Sequence, residues 1–426
     1  MMVSRLRWLI LALLCLSTVI NYLDRQAVAV LLPELRKDLG ITSVQYGTIT
    51  TLFLVAYTAM QVLSGVVIDR IGTRLGFVVS IAVWSVAAAA HALARGPFSL
   101  GALRFLLGLG EAGNWPAGAK AVAEWFPRSQ RAFAMGVFDG GSALGAILAP
   151  PLVALLALRY GWRAAFVITG LLGFLWLAAW AWIYRKPSEH SWIVQNEREQ
   201  LAAGTTPSPG HTAGRLAALR QILAVRQLWG LVVTRMVATP VWWFYVFWLP
   251  DYLNKARGFS LKEIAMFGWI PFLTVDLGKL LGGALSDRLL RRGASTTLAR
   301  KSVMGAGAVA MLGGVQVAGA GTAAGAIAWV SLATFGFGMW SANILALHAD
   351  IFPPDAMATA IGVTGTAASL GGAIFTFATG WLVEWRGYAP AFWVAGTAAL
   401  VAFLSLVFLL GRVDAAKLHG SPAVIT

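Results

Sequence analysis

The sequence predicts an all-α membrane protein of twelve transmembrane helices, arranged as two six-helix parallel repeats. Three observations predict it. Of the 426 residues 58% are hydrophobic and only 12% charged, a balance that a soluble domain of this length does not carry. Apolar stretches close to the roughly 20 residues that cross a bilayer as helix recur from end to end. The second half of the chain also repeats the first.

The first span is read at 8–31, behind Arg5 and Arg7. No small-residue cleavage site precedes Asn21, so this stretch is expected to stay as a span and not to leave as a signal peptide. Five further spans follow at 45–67, 76–94, 98–121, 132–157 and 163–184. The longest polar segment comes next, with Thr205, Thr206, Pro207, Ser208, Pro209 and Gly210 as a flexible linker. The second set of six lies at 226–250, 262–285, 302–319, 324–347, 357–383 and 389–411. The expected organisation is therefore an amino-terminal bundle over 1–184, a cytoplasmic linker over 185–225, and a carboxy-terminal bundle with a short tail over 226–426.

The repeat is read by offset. An offset of 226 pairs Phe126 with Phe352, Pro127 with Pro353, Gly136 with Gly362, Val137 with Val363, Gly145 with Gly371, Gly161 with Gly387 and Phe166 with Phe392. An offset of 218 pairs GVVIDRIGTRLG, from Gly65, with GALSDRLLRRG, from Gly283. Six spans separate the copies, so the halves share orientation and relate by an axis along the membrane normal, leaving a cavity between them.

A formal charge of +15 suggests nucleic acid in a soluble protein, but here the basic residues sit in the loops between spans. With the amino terminus placed inside, 20 of the 33 Lys and Arg fall on the cytoplasmic side and 9 on the other. Both termini are therefore expected in the cytoplasm, the bilayer is the macromolecular partner, and nucleic acid is not. Cys15 is the sole cysteine, which excludes an internal disulfide or a cysteine metal site. No phosphate loop and no HExxH is present, and His91, His190, His211, His348 and His419 are scattered. No enzyme site, cofactor or metal is expected.

Among the charges inside spans, four stand out in two places, Asp24 and Arg25 in the first and Arg104 and Glu111 in the fourth. Buried charge costs about 2.5–3.5 kcal/mol per residue on insertion scales, so such groups face a cavity or a partner. Arg104 and Glu111 lie two helical turns apart on one face and cannot reach each other in a regular helix. The first span is their natural partner. Arginine suits an anionic ligand because its planar fork grips a carboxylate and stays charged. Trp242, Trp243, Tyr245 and Trp248 crowd the seventh span between Pro240 and Pro250, a pattern that fits either ring stacking on a sugar or an interfacial aromatic belt. Tyr22, Tyr57, Asn114, Asn343, Thr364 and Ser369 are polar groups inside spans, suited to reading hydroxyls or to joining helices. Asp276 and Lys279, at i and i+3, are expected to form an ion pair. Asp139, beside Gly140 and Gly141, fits a second proton site or a packing acceptor.

The loop residues Gly65, Asp69, Arg70, Gly72 and Arg74 resemble the signature of the major facilitator superfamily. NYLDR from Asn21, RFLLGLGEAGNWPA from Arg104, WWFYVFWLPDYL from Trp242 and RKPSEHSWIVQNERE from Arg185 resemble the anion:cation symporters, in the branch that imports hexuronates and related sugar acids. Two positions depart from that branch, Thr239 where its members often carry Asp, and Asp139 where a neutral polar residue is usual.

The resemblance implies import of a hexuronate or aldonate with protons across the cell inner membrane, sodium being the other candidate coupling ion, by a carrier expected to be a monomer. Proton coupling is expected at Asp24, where the resemblance favours that role, and at Glu111, and substrate binding at Arg25, Arg104, Tyr22, Tyr57, Asn114, Trp243, Tyr245, Asn343, Thr364 and Ser369. The resemblance implies gating by Asp69, Arg70, Arg74, Asp287, Arg288 and Arg291, the acids capping or pairing across adjacent cytoplasmic helix ends and latching the outward-facing state with those arginines. The competing readings are an exporter or exchanger of other carboxylates or drugs on the same fold, and a non-transporting membrane receptor.

Overall fold

A computed structural model describes residues 3–190, 220–352 and 354–413. The linker motif at 205–210, Pro353 and the tail beyond 413 lie outside the described residues. The described chain is helical almost throughout.

The first six spans are α1 (Val3–Leu39), α2 (Ser43–Ile71), α3 (Thr73–Ala90), the pair α4 (Pro97–Glu111) and α5 (Asn114–Trp125), α6 (Arg128–Tyr160) and α7 (Trp162–Ile183). The second six are α8 (Arg226–Lys255), the pair α9 (Leu261–Phe267) and α10 (Ile270–Arg291), the pair α11 (Thr296–Met311) and α12 (Gly313–Gln316), α13 (Ala323–Ile351), α14 (Pro354–Arg386) and α15 (Tyr388–Ser405). Among the described residues nine spans are long and apolar enough to cross a bilayer as they stand, and α2 makes a tenth with a bend. The other two are the broken ones, α4 and α5 with 15 and 12 residues and α11 and α12 with 16 and 4.

Two departures from the expected elements bear on the site, beside the breaks in the eighth and ninth spans. α1 continues through Pro33 to Leu39, eight residues past the expected end, because Leu31, Leu32 and Leu35 stay fully buried while Arg36 finds an acid. The fourth span breaks directly after Glu111, at Ala112 and Gly113.

The internal repeat is expressed in local structure. Thr42 caps α2, its hydroxyl accepting from Gln45 N at 3.1 Å while Gln45 Oε1 accepts from Thr42 N at 3.0 Å. Ser260, 218 residues on, caps α9 in the same way with Glu263. Such reciprocal caps satisfy two of the donors that a helix start leaves bare. At the offset of 226, Gly161 and Gly387 both turn the chain at positive φ, +83° and +74°. There glycine avoids the penalty of a side chain.

The chain forms two compact units, Met1–Ser208 with Val246–Trp269, and Pro209–Tyr245 with Ile270–Thr426. In the first, α1 packs on α6 and α2 on α4. The end of α8 from Val246 onward belongs to this unit. Tyr46 Oη donates to Phe247 O at 2.6 Å, and Trp248 sets its ring edge-on to Tyr46. Arg36 grips both oxygens of the fully buried Asp251, at 3.2 and 3.0 Å, and Lys255 donates to Ser43 at 3.1 Å. In the second unit, α10 packs on α13, and α11 on α13 and α15.

Candidate functional site

Arg25, on the buried face of α1, sends Nε and Nη2 to the same oxygen of Glu111, at 2.9 and 2.8 Å. Nη2 also donates to Asn21 Oδ1 at 2.9 Å, one helical turn back, where an i, i+4 partner lies. The rings of Tyr22, Tyr57 and Phe53 surround the guanidinium, their centroids 4.6, 4.9 and 5.4 Å from Cζ. The aromatic faces attract the cation and the acid neutralises it, which is how a charge exposed by only 1% is held. Glu111 is the last residue of α4, at the negative end of that helix, so it depends on Arg25 for compensation.

Arg104 is fully buried and turned inward, so it is no helix-end snorkeller. It donates to backbone carbonyls of α1, to Arg25 O at 2.8 Å and Asp24 O at 3.4 Å, and lies 4.9 Å from the Phe53 ring centre. The expected four-charge cluster is thus brought to one place, but its members are satisfied unequally. Asp24 is 2% exposed and neither carboxylate oxygen has a hydrogen bond. Its neighbour Thr169 instead reaches Phe166 O, at 3.3 Å. Glu111 Oε1, Arg104 Nε and Asn21 Nδ2 are likewise buried and unbonded, as are both ends of the Gln26 amide. Buried polar atoms are nearly always bonded, so a cluster of bare ones marks a place for water or a ligand.

Asn114 opens α5 just past the break, accepting from Ser17 at 2.9 Å and donating to Thr18 at 3.1 Å. It ties the fourth span to the first.

The second unit distributes its polar residues differently. Asn343 donates to Gly282 O and Met339 O, at 3.2 and 3.0 Å, where α10 crosses α13. Thr364 on α14 bonds Arg235 and His348, both at 2.9 Å. Ser369 is buried on α14. Trp243 lies against Gly372, and the Tyr245 hydroxyl stands beside Gly314 without a hydrogen bond, its ring packed on Phe244. Trp243, Tyr245 and Trp248 are buried, so this cluster is not an interfacial belt; Trp242 stacks on Phe337 at 5.7 Å.

The loop acids pair with bases on neighbouring helices. Asp69 pairs with Lys120 of α5 at 3.0 Å, and Asp287 with Arg300 of α11 at 3.4 Å. Arg70 and Arg288 are adjacent to these acids on their own helices, and successive helical side chains diverge by about 100°. Both are exposed, as is Arg291. Arg74 donates to Ala181 O at 2.5 Å. Arg300 also holds Asp350 at 2.9 Å. Asp276 and Lys279 form their ion pair at 3.3 Å, and Asp139 sits exposed on α6.

Sequence reasoning missed Asn21, Phe53, Gln26 and the Arg36–Asp251 pair. The i, i+4 spacing of Asn21 and Arg25 was a readable signal, as was the polar run behind Pro33. Nothing local marks Phe53.

The family model of the Major Facilitator Superfamily matches residues 14–376. A hexuronate transporter of Escherichia coli (strain K12) is 35% identical over 426 residues, covering 99% of both chains. A galacturonate transporter of Dickeya chrysanthemi is 38% identical over 315 residues, 73% of this chain and 90% of that one. The fold matches an inward-facing bacterial homologue of the human lysosomal transporter Spinster at a TM-score of 0.74, with 20% identity over 95% of each chain. Family and relatives are transporters, not enzymes. This multi-pass membrane chain belongs to the Major Facilitator Superfamily, in the sequence branch of the hexuronate and galacturonate transporters.

Proposed function

We propose that the protein is a symporter that imports a hexuronate or aldonate together with protons across the inner membrane, both termini facing the cytoplasm. The observation that carries the reading is Asp24, a buried carboxyl that neither of the two buried arginines of the cluster bonds, both being engaged elsewhere. Its charged form is the poorly accommodated one, because burying an ion without partners is costly. A proton removes that cost, and Asp24 is assigned as the coupling group. The sugar-acid substrate rests on the relatives, both uronate transporters by name.

Arg25 supplies the competition that couples two fluxes. Its fork is held by Glu111, so a substrate carboxylate must displace that acid or meet it protonated. A proton on Glu111 frees the fork for the substrate. Tyr22 and Tyr57, against the guanidinium, are placed to touch the sugar that follows, and Arg104 holds the α1 backbone in position. Asp69 with Lys120 and Asp287 with Arg300 are assigned to the cytoplasmic gate, and alternating access carries the site from one face to the other.

The test is uptake of labelled glucuronate and gluconate into proton-energised vesicles. Accumulation that an uncoupler abolishes is expected. Accumulation that survives the uncoupler removes proton coupling, and exchange without net uptake replaces import by an exchanger.

A further inference from the structure

In the second unit, Arg235 on α8 is a half-buried cation among neutral partners. Its Nη1 donates to Thr364 Oγ1 at 2.9 Å and reaches Ile361 O at 3.5 Å, both on α14. No acid pairs with it among the described residues. Thr364 is fully buried and lies 2.9 Å from Nε2 of His348 on α13, fully buried as well. The other ring nitrogen, Nδ1, stands 2.7 Å from Ile344 O.

Proton bookkeeping gives this chain a direction. A carbonyl only accepts, so His348 Nδ1 carries the hydrogen, and the neutral ring presents a lone pair at Nε2. The single hydroxyl proton of Thr364 fills that lone pair, leaving its own lone pairs for Arg235. Were that proton turned to Ala360 O, also at 2.9 Å, Nε2 would have to carry a hydrogen, making a second cation at the same hydroxyl. The relay therefore runs from Arg235 through Thr364 and His348 to Ile344 O.

That relay fixes one corner of the guanidinium and leaves the rest. Nε and Nη2 hold no hydrogen bond among the described residues, and the side chain is not closed off from its surroundings. Together they form the edge that meets a carboxylate with two parallel bonds. We infer that Arg235 is an anion-binding residue of the second unit, its open edge taking a carboxylate of the transported acid, with Thr364 and His348 as positioning residues. The identity of the acid rests on the sugar-acid reading; the need for an anion does not. Thr364 thereby becomes the group that aims an arginine instead of a reader of substrate hydroxyls.

Thermal unfolding of the purified full chain, titrated separately with glucuronate and with acetate, tests this. The wild type is expected to be stabilised by glucuronate, and Arg235→Gln to need at least about tenfold more for the same shift. Thr364→Val and His348→Leu should each require about three- to tenfold more and add little in combination with Arg235→Gln. A merely structural role would lower the ligand-free midpoint and leave the ligand concentration unchanged. If Arg235→Gln does not fold, Arg235→Lys, which keeps the charge and loses the fork, is expected to weaken glucuronate several-fold. Stabilisation by acetate alone, lost in Arg235→Gln, keeps the anion residue and sinks the sugar-acid reading. Stabilisation of the wild type by neither acid, or wild-type affinity in both Arg235 variants, overturns the inference.

Discussion

Arg25 directs two nitrogens at one oxygen of Glu111 and leaves the other oxygen buried without a bond. The pair is therefore charge-balanced but incompletely satisfied, which makes it exchangeable. Removing one member of a buried pair strands the other, at about 3–5 kcal/mol. Arg25→Ala is expected to lower the thermal midpoint and abolish substrate binding. Adding Glu111→Gln should restore much of the stability and none of the binding. A double variant as unstable as Arg25→Ala would show that Glu111 is not what Arg25 neutralises.

Asp24 predicts a separation of exchange from accumulation. Asn has nearly the same shape and cannot take up and release a proton, so Asp24→Asn is expected to keep substrate counterflow while losing uptake against a gradient. Both are read with labelled glucuronate in proteoliposomes. Undiminished accumulation would discard Asp24 as the coupling group.

Arg36 and Asp251 fasten the end of α8 to α1 in the first unit, with Asp251 fully buried. Arg36→Gln and Asp251→Asn should each destabilise, and the double variant should fall short of their sum by about 0.5–3 kcal/mol, the range for directly coupled residues. Strict additivity in chemical or thermal unfolding would mean that the two side chains do not interact in solution.

The fold was legible because its main force is legible. Hydropathy places the spans, and the offsets of 218 and 226 foretell structure that recurs, such as the capping boxes at Thr42 and Ser260. Charges inside spans were equally plain, and Asp24, Arg25, Arg104 and Glu111 do share one place. Their bonding was not legible, because it depends on the break at Ala112 and Gly113 and on rotamers that no pattern encodes. Asp69 and Asp287 mark the same limit. Pairing across adjacent helix ends was readable, while the bases they reach, Lys120 and Arg300, are set by which helices packing brings near. The aromatic run of α8 left two readings open in the sequence because interfacial and buried tryptophan are alike in composition and differ only in what surrounds them.

Glycine pairs of the repeat give a prediction in which sequence alone treats alike what the structure separates. Gly145 and Gly371 align at the offset of 226, and so do Gly136 and Gly362. A Cβ at Gly145 would meet the carbonyl of Val19 on α1, and one at Gly371 the carbonyl of Met236 on α8. At Gly136 and Gly362 a Cβ would meet nothing within 4 Å. Backbone cannot retreat as a side-chain tip can, so Gly145→Ala and Gly371→Ala should force helices apart and cost about 1–3 kcal/mol each. Gly136→Ala and Gly362→Ala should be neutral or stabilising by a few tenths to about 1 kcal/mol, since alanine favours helix. Thermal midpoints of the four single variants decide it. Equal loss at all four would mean that the repeat preserves glycine for helix mobility and not for the two close crossings.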